Sequence, residues 1–196
     1  PEMVDHVVLG VGNERLEAAL DDAIAHGARA ATIFASCGVH GDGGKLRESL
    51  ATKARAAGMS ICGGNCMGFY NNEIGLRVAG YPALQAMEPG SIGWLAQSGS
   101  VFGALAHNDE RLKFNVAISS GAELVTTAAD YLRWMADHEN IRVVGMFLES
   151  VRDPAGFAAA LELAATKDVP VVILKVGRTA ASAEMALSHT GAIAGS

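Results

Sequence analysis

The sequence predicts an α/β fold built on parallel sheets, and three observations carry that prediction. Short runs rich in valine, isoleucine and leucine alternate with longer stretches at helical spacing, which is the rhythm of right-handed βαβ units. Half of the residues are hydrophobic and 18% are charged, so the chain can bury a core and is not of the disordered class. Glycine, at 23 of 196 residues, is enriched over the usual share of about 7%. It follows no repeat and clusters between the apolar runs, where loops fall. A length of 196 residues accommodates one large domain or two small ones.

Taken in order, residues 4–11 (VDHVVLGV) form a valine-rich buried-strand pattern. Residues 13–26 follow with Leu16, Ala19, Leu20, Ala23 and Ile24 on one helical face, Asn13 as N-cap and Gly27 as stop. Residues 29–35 are a second strand, 38–44 a glycine-rich loop, 45–57 a helix closed by Gly58, and 59–63 a third strand. Residues 64–90 show no period and read as a long loop that holds a domain boundary. The rhythm then restarts with strands at 91–96, 114–119, 141–148 and 170–176, separated by helices at 99–109, 126–138 and 154–166, the last with Pro154 in its first turn. Two α/β units follow from this, with three strands in the first and four in the second. A tail carrying a glycine-rich loop closes the chain.

Several classes are excluded. A net charge of −6 without Lys/Arg clusters argues against nucleic acid as the partner. No apolar run reaches the roughly 18 residues of a membrane span. The start, Pro-Glu-Met-Val-Asp, has neither an initiator Met nor a signal-peptide pattern and reads as a chain entered partway. Three cysteines, Cys37, Cys62 and Cys66, form no disulfide framework and suit a reducing cytoplasm. Cys62 and Cys66 lack the second pair that a structural zinc site needs, so no metal site is expected.

In open α/β sheets ligands bind at the carboxyl ends of the strands, which directs attention to four places. Gln97-Ser98-Gly99-Ser100 follows a strand and opens a helix. Free N–H groups there suit a phosphate, and the competing reading is an ordinary N-cap serine with a turn glycine. Glu149 ends the apolar run VVGMFLE and is either a ligand-edge carboxylate or a solvated charge paired with Arg152. His189 lies in a loop of small residues, Ser188-His189-Thr190-Gly191. A neutral imidazole there is a nucleophile that can carry a phosphoryl group, or simply a surface histidine. Asn65 follows the third strand and either bonds a ligand or closes an Asx-turn. Beside it, Cys66 has no paired base in the pattern and reads as a structural thiol.

Together, GGNCMGFYN (63–71), AQSGS (96–100), FLESVRDP (147–154), VVILKVGRT (171–179) and SHTGAIAG (188–195) resemble the NDP-forming acyl-CoA synthetases. These are the acetate–CoA ligase (ADP-forming) type, relatives of the succinyl-CoA synthetase α subunit. The resemblance covers essentially the whole chain. It implies the back half of a CoA-binding Rossmann-like domain at 1–80 and a flavodoxin-like parallel-sheet ligase domain, C-terminally truncated, at 81–196. It also implies a three-step, reversible reaction. Phosphate displaces coenzyme A from acyl-CoA, a histidine takes the phosphoryl group from the acyl phosphate, and an ATP-grasp domain or subunit passes it to ADP with Mg. His189 matches the phosphorylated histidine and Glu149 the glutamate that orients it. Ser98, Gly99 and Ser100 match the phosphoryl-binding helix start. Gly10, Val11, Gly12, Ser36 and Gly38 match CoA loops, and Asn65 matches a loop asparagine beside the active site.

The resemblance implies CoA and a small carboxylic acid as partners, with no nucleic acid or membrane, and a homo- or hetero-oligomer. The sequence departs from the family at Gly64, where Pro is common, which predicts a looser turn. The first half of the Rossmann domain and the ATP-grasp part are absent from the sequence. An alternative is a catalytically silent CoA-binding regulatory segment of a larger protein such as a protein acetyltransferase. A flavodoxin-like flavin binder is a third possibility on fold alone. Residues 67–70 and 119–123 are expected to line an acyl pocket.

Overall fold

The computed structural model describes residues 4–38, 43–80, 88–108 and 111–177. The first three strands, β1 (His6–Leu9), β2 (Ala30–Ile33) and β3 (Ser60–Gly63), form a parallel sheet in that order. Helix α1 (Leu16–Ala25) buries Leu16, Leu20 and Ala23, the face that the spacing predicts. Helix α2 (Gly43–Ala56) buries Leu50, Ala51 and Ala54. Both pack into one core with Ile33, Met59 and Ile61. Gly27 (φ 79°) and Gly58 (φ 65°) end the two helices in the left-handed region, as expected. Asn13 is not the cap of α1. It sits in a 3-10 turn (Asn13–Arg15), and its amide bridges instead to the next strand's loop. There Oδ1 accepts from the Cys37 N–H (3.0 Å) and Nδ2 donates to Ser36 Oγ (3.3 Å).

The second sheet has six strands in the order β5-β4-β7-β6-β8-β9. Strands β6 (Ile92–Ala96), β7 (Phe114–Ser119), β8 (Val143–Leu148) and β9 (Val171–Lys175) are the four expected from the rhythm, and their shared pairings are parallel. Helix α3 (Gly99–Asn108) lies against the Trp94 and Ala96 side of the sheet. Helices α4 (Ala128–Asp137) and α5 (Pro154–Thr166) cover the opposite side, where Leu95 points. Alternate residues of β6 thus face two different helical layers, which is the doubly wound arrangement. Leu132 and Met135 of α4 are fully buried, and each contributes roughly 1.5–3 kcal/mol through burial. Thr127 and Asp130 form a capping box on α4, and Asp153 caps α5 by accepting from the Gly156 N–H at 2.9 Å. No described helix is long and apolar enough to cross a membrane.

The stretch expected as a loop, 64–90, carries two strands, β4 (Gly68–Asn71) and β5 (Leu76–Ala79). They form an antiparallel hairpin whose β4 pairs with β7, Gly68 opposite Ser119 and Asn71 opposite Val116. The second sheet therefore has six strands rather than four. At four residues each, these strands are too short to show a period, and β4 is docked onto the sheet by a partner some fifty residues later.

Candidate functional site

The carboxyl ends of the parallel strands of the two sheets meet at a seam. After β3, the Gly63 carbonyl accepts from the Leu124 N–H (2.9 Å) and the Gly64 carbonyl from the Ala122 N–H (2.7 Å). Arg55 on α2 donates to the Leu124 carbonyl (3.0 Å), and Ser119 Oγ accepts from the Met67 N–H (3.0 Å). Gly121, at φ 58°, makes this approach possible, because a Cβ there would collide with the Gly64 carbonyl oxygen. The expected looseness at Gly64 is not found. A Cβ at Gly64 would collide with Cys37 Sγ, and the neighbouring Asn65 N–H bonds the Ala35 carbonyl at 2.8 Å.

On the first sheet, Gly10, Val11 and Gly12 follow β1, while Ser36 and Gly38 follow β2. The Asn13 amide ties these loops together. A Cβ at Gly10 would meet nothing within 4 Å, so that loop faces open space. Asn65 lies after β3 with φ 52°. These residues form one edge, as the sequence order requires.

On the second sheet, Ser98, Gly99 and Ser100 begin α3 after β6. The Ser98 and Ser100 hydroxyls are 3.1 Å apart, and Ser98 Oγ accepts from the Val101 N–H at 3.5 Å. Both the N-cap role and an exposed pair of hydroxyls at a helix start are therefore present. The glycine at 99 also has a packing cause. A Cβ on Gly99 would lie 2.6 Å from Met67 Cγ, so Gly99 makes room for a side chain of the neighbouring segment. Tyr70, expected at an acyl pocket, is instead core: it is buried against the Phe102 ring, 5.4 Å between centroids.

Glu149 follows β8 and is buried. Its N–H donates to Gln97 Oε1 at 2.7 Å, and its carbonyl accepts from Lys175 Nζ at 3.0 Å. Arg152, considered as its partner, experiences its attraction chiefly from Glu123. His189 lies outside the described residues.

Sequence reasoning gave Gln97 no role of its own and placed Glu123 only in the stretch 119–123 expected at an acyl pocket. Gln97, only 3% exposed, makes four hydrogen bonds. Glu123, at φ 51°, is buried and accepts from Gln97 Nε2 and Ser120 Oγ, both at 2.9 Å. Burial pushes the Glu123 carboxyl above its usual range, and the Gln97 and Ser120 hydrogen bonds and the Arg152 charge pull back against it. The available signal was a glutamine ending an apolar strand directly before a helix start, where a buried amide must find partners. Beside Glu123 runs a polar groove of about 570 Å³ lined by Arg47, Arg55 and Arg152.

The three cysteines cluster under the seam. Cys66 donates toward the Ile33 carbonyl (3.4 Å), and its thiol is held well above the usual range by its hydrogen bond to Cys62 and by burial. Burial pushes Cys37 up to about 11. Cys37 and Cys66 are protonated structural thiols at neutral pH.

Comparison with known proteins places these features in a family. The family described as "Succinyl-CoA ligase like flavodoxin domain" matches residues 89–196, and the "CoA binding domain" family matches residues 1–72. The acetate–CoA ligase [ADP-forming] I of Archaeoglobus fulgidus is 29% identical over 202 residues, covering 100% of this chain and 29% of the relative. The acetate–CoA ligase [ADP-forming] I subunit alpha of Pyrococcus furiosus is 30% identical, again over 100% of this chain and 43% of the relative. Among solved structures, the dinucleotide forming acetyl-coenzyme A synthetase 1 of Ca. Korarchaeum cryptofilum, in complex with phosphate and ADP, superposes with a TM-score of 0.84. It has 25% sequence identity and covers 100% of this chain and 42% of that one. The chain thus spans less than half the length of each of these relatives.

Proposed function

The chain belongs to the family of succinyl-CoA ligase-like flavodoxin domains, and from that premise we propose that it is the CoA-handling and phosphoryl-carrying part of an NDP-forming acyl-CoA ligase. The observation that carries this reading is the seam. Loop 63–65, which carries Asn65, is hydrogen-bonded through residues 122–124 to the edge that holds Ser98–Ser100 and Glu149. A thiol ester delivered over the first sheet therefore arrives beside a phosphate-binding helix start.

In this reading the units divide at residue 80, with the hairpin reaching across to the second sheet. Gly10, Val11, Gly12, Ser36, Gly38 and Asn65 contact CoA. Ser98, Gly99 and Ser100 hold phosphate with hydroxyls and the free N–H groups of α3. Phosphate attacks the acyl carbon, CoA leaves as the thiol, and the acyl phosphate remains. His189 then attacks phosphorus and the carboxylate leaves. Glu149 accepts from one ring nitrogen of His189, which fixes the tautomer and raises the nucleophilicity of the other. An ATP-grasp partner binding Mg–ADP removes the phosphoryl group, and every step runs in reverse. Free cysteines fit a cytoplasmic setting, and assembly with the ATP-grasp partner makes the working enzyme an oligomer or a longer chain.

The test is incubation of the complete ligase with γ-labelled ATP and magnesium. The expected result is an acid-labile, base-stable label on wild type that is absent from H189A. Label persisting in H189A overturns the assignment.

A further inference from the structure

Gln97 occupies the junction of three strand-end loops, and its amide is saturated. Oε1 accepts from the Glu149 N–H (2.7 Å) and the Ser150 N–H (2.9 Å). Nε2 donates to the Ser150 carbonyl (2.9 Å) and to Glu123 Oε1 (2.9 Å). An amide has two donor hydrogens and two acceptor lone pairs, so every position is used and only one orientation works. Turning the amide over would set its NH₂ against two backbone N–H groups. The backbone of Gln97 is pinned as well, its N–H donating to the Phe147 carbonyl at 3.1 Å.

The consequence falls on Glu149. Both of its flanking peptides are held, the first by Gln97 Oε1, the second by Gln97 Oε1 at Ser150 and by Lys175 at the Glu149 carbonyl. The direction in which the Glu149 side chain leaves the backbone is therefore set by an amide one residue before Ser98. From this geometry we infer that Gln97 is a positioning residue that locks the Glu149 carboxylate and the Ser98–Ser100 helix start into one rigid phosphoryl-transfer frame, with Glu123 as its anchor. The inference rests on the proposed roles of His189 and Glu149, and it adds a residue that touches neither substrate nor phosphoryl group.

Q97E gives the diagnostic perturbation. It keeps an acceptor for the two N–H groups but sets a second carboxyl oxygen against Glu123 Oε1 and the Ser150 carbonyl, the two acceptors that Gln97 Nε2 serves. Two carboxyl groups at hydrogen-bond distance share one proton and cannot both ionise without separating. The titratable groups facing this pair are Arg152, Arg47, Arg55, Glu48, Asp130 and Asp153 from the groove, Cys62 and Tyr131 from beneath, and Glu149 and Lys175 from the β8 and β9 ends. The arginines lower the pH at which the shared proton leaves, and the neighbouring carboxylates and burial raise it. At low pH the bridging proton preserves the frame; as pH rises the frame opens.

The experiment measures the rate of His189 labelling from ATP in the complete ligase across pH, for wild type, H189A, Q97M, Q97E and Q97E/E123Q, with thermal melts on each. Q97M is expected to lower the labelling rate by about 10- to 100-fold, the usual effect of losing a residue that orients a catalytic group, with the KM for CoA, measured in acyl-CoA formation, unchanged. Q97E is expected to lose rate with rising pH relative to wild type. Q97E/E123Q removes the second carboxyl and lets the new amide donate to residue 97, so it is expected to abolish the extra loss of rate with rising pH, while the Ser150 carbonyl stays without its donor and a pH-independent deficit remains. The inference is overturned if Q97E follows the wild-type pH profile, or if Q97E/E123Q melts like wild type and keeps the loss of rate with rising pH that Q97E shows. Label persisting in H189A overturns the functional reading itself; label lost in H189A while the Gln97 variants keep wild-type rates overturns only the positioning role.

Discussion

The substitution G121A tests the seam between the two sheets with a built-in control. Gly121 and Gly75 have nearly the same left-handed backbone, φ 58° and 67°. A Cβ at Gly75 would meet nothing within 4 Å, whereas one at Gly121 would collide with the Gly64 carbonyl oxygen and touch the Asn65 backbone. The backbone cost of alanine in this region, roughly 1–2 kcal/mol, is common to both sites. Overpacking against main chain adds roughly 1–3 kcal/mol at Gly121 only. Relief by movement would break the Ala122-to-Gly64 and Leu124-to-Gly63 hydrogen bonds, at roughly 0.5–1.5 kcal/mol each. G121A is therefore expected to destabilise by about 2–5 kcal/mol and G75A by about 1–2 kcal/mol. Urea unfolding of the two variants, with free energies extrapolated to water, measures the difference. Equal destabilisation would show that the 120–124 loop does not press on residues 63–65, and the seam would lose its physical basis.

Other outcomes follow from single residues. L132A, at a fully buried α4 position, is expected to cost about 3–5 kcal/mol in urea unfolding; a loss near 1 kcal/mol would place the residue outside a close-packed core. T127A removes one half of the α4 capping box and is expected to cost about 0.5–2 kcal/mol. Glu123 has a folded pKa raised above the ordinary 4.5. The folded state therefore holds the proton more tightly than the unfolded chain, and this group's contribution to stability falls as pH rises from the unfolded value to the folded one. E123Q should abolish that slope in pH-dependent unfolding, and an unchanged slope would assign it to other groups.

Much of the scaffold was legible because buried parallel strands and amphipathic helices announce themselves locally. Leu16, Leu20 and Ala23 recur at helical spacing, and Phe114–Ser119 (FNVAIS) reads as a mostly apolar strand. The hairpin β4–β5 was not legible, since Gly68–Asn71 becomes a strand only by pairing with Val116–Ser119. Asn13 looked like a cap because its neighbours follow helical spacing, yet its amide finds the loop after β2. At the site, the rule that ligands gather at strand carboxyl ends located Ser98, Glu149 and Asn65. It could not reveal that Gln97 and Glu123 bond to each other across 26 residues of sequence, because a buried amide's partners depend on sheet order. The assignment of His189 came from its loop motif, and it lies outside the described residues.

A pulse and chase on the complete ligase bears most directly on phosphoryl transfer through His189. Enzyme labelled from γ-labelled ATP is separated from nucleotide and then given CoA and a small carboxylic acid such as acetate. A phosphohistidine carrier predicts that the label leaves His189 as inorganic phosphate, in step with formation of acyl-CoA, and that H189A neither takes up label nor forms acyl-CoA. Label that stays on the protein while acyl-CoA accumulates, or acyl-CoA formed by H189A at the wild-type rate, would contradict it.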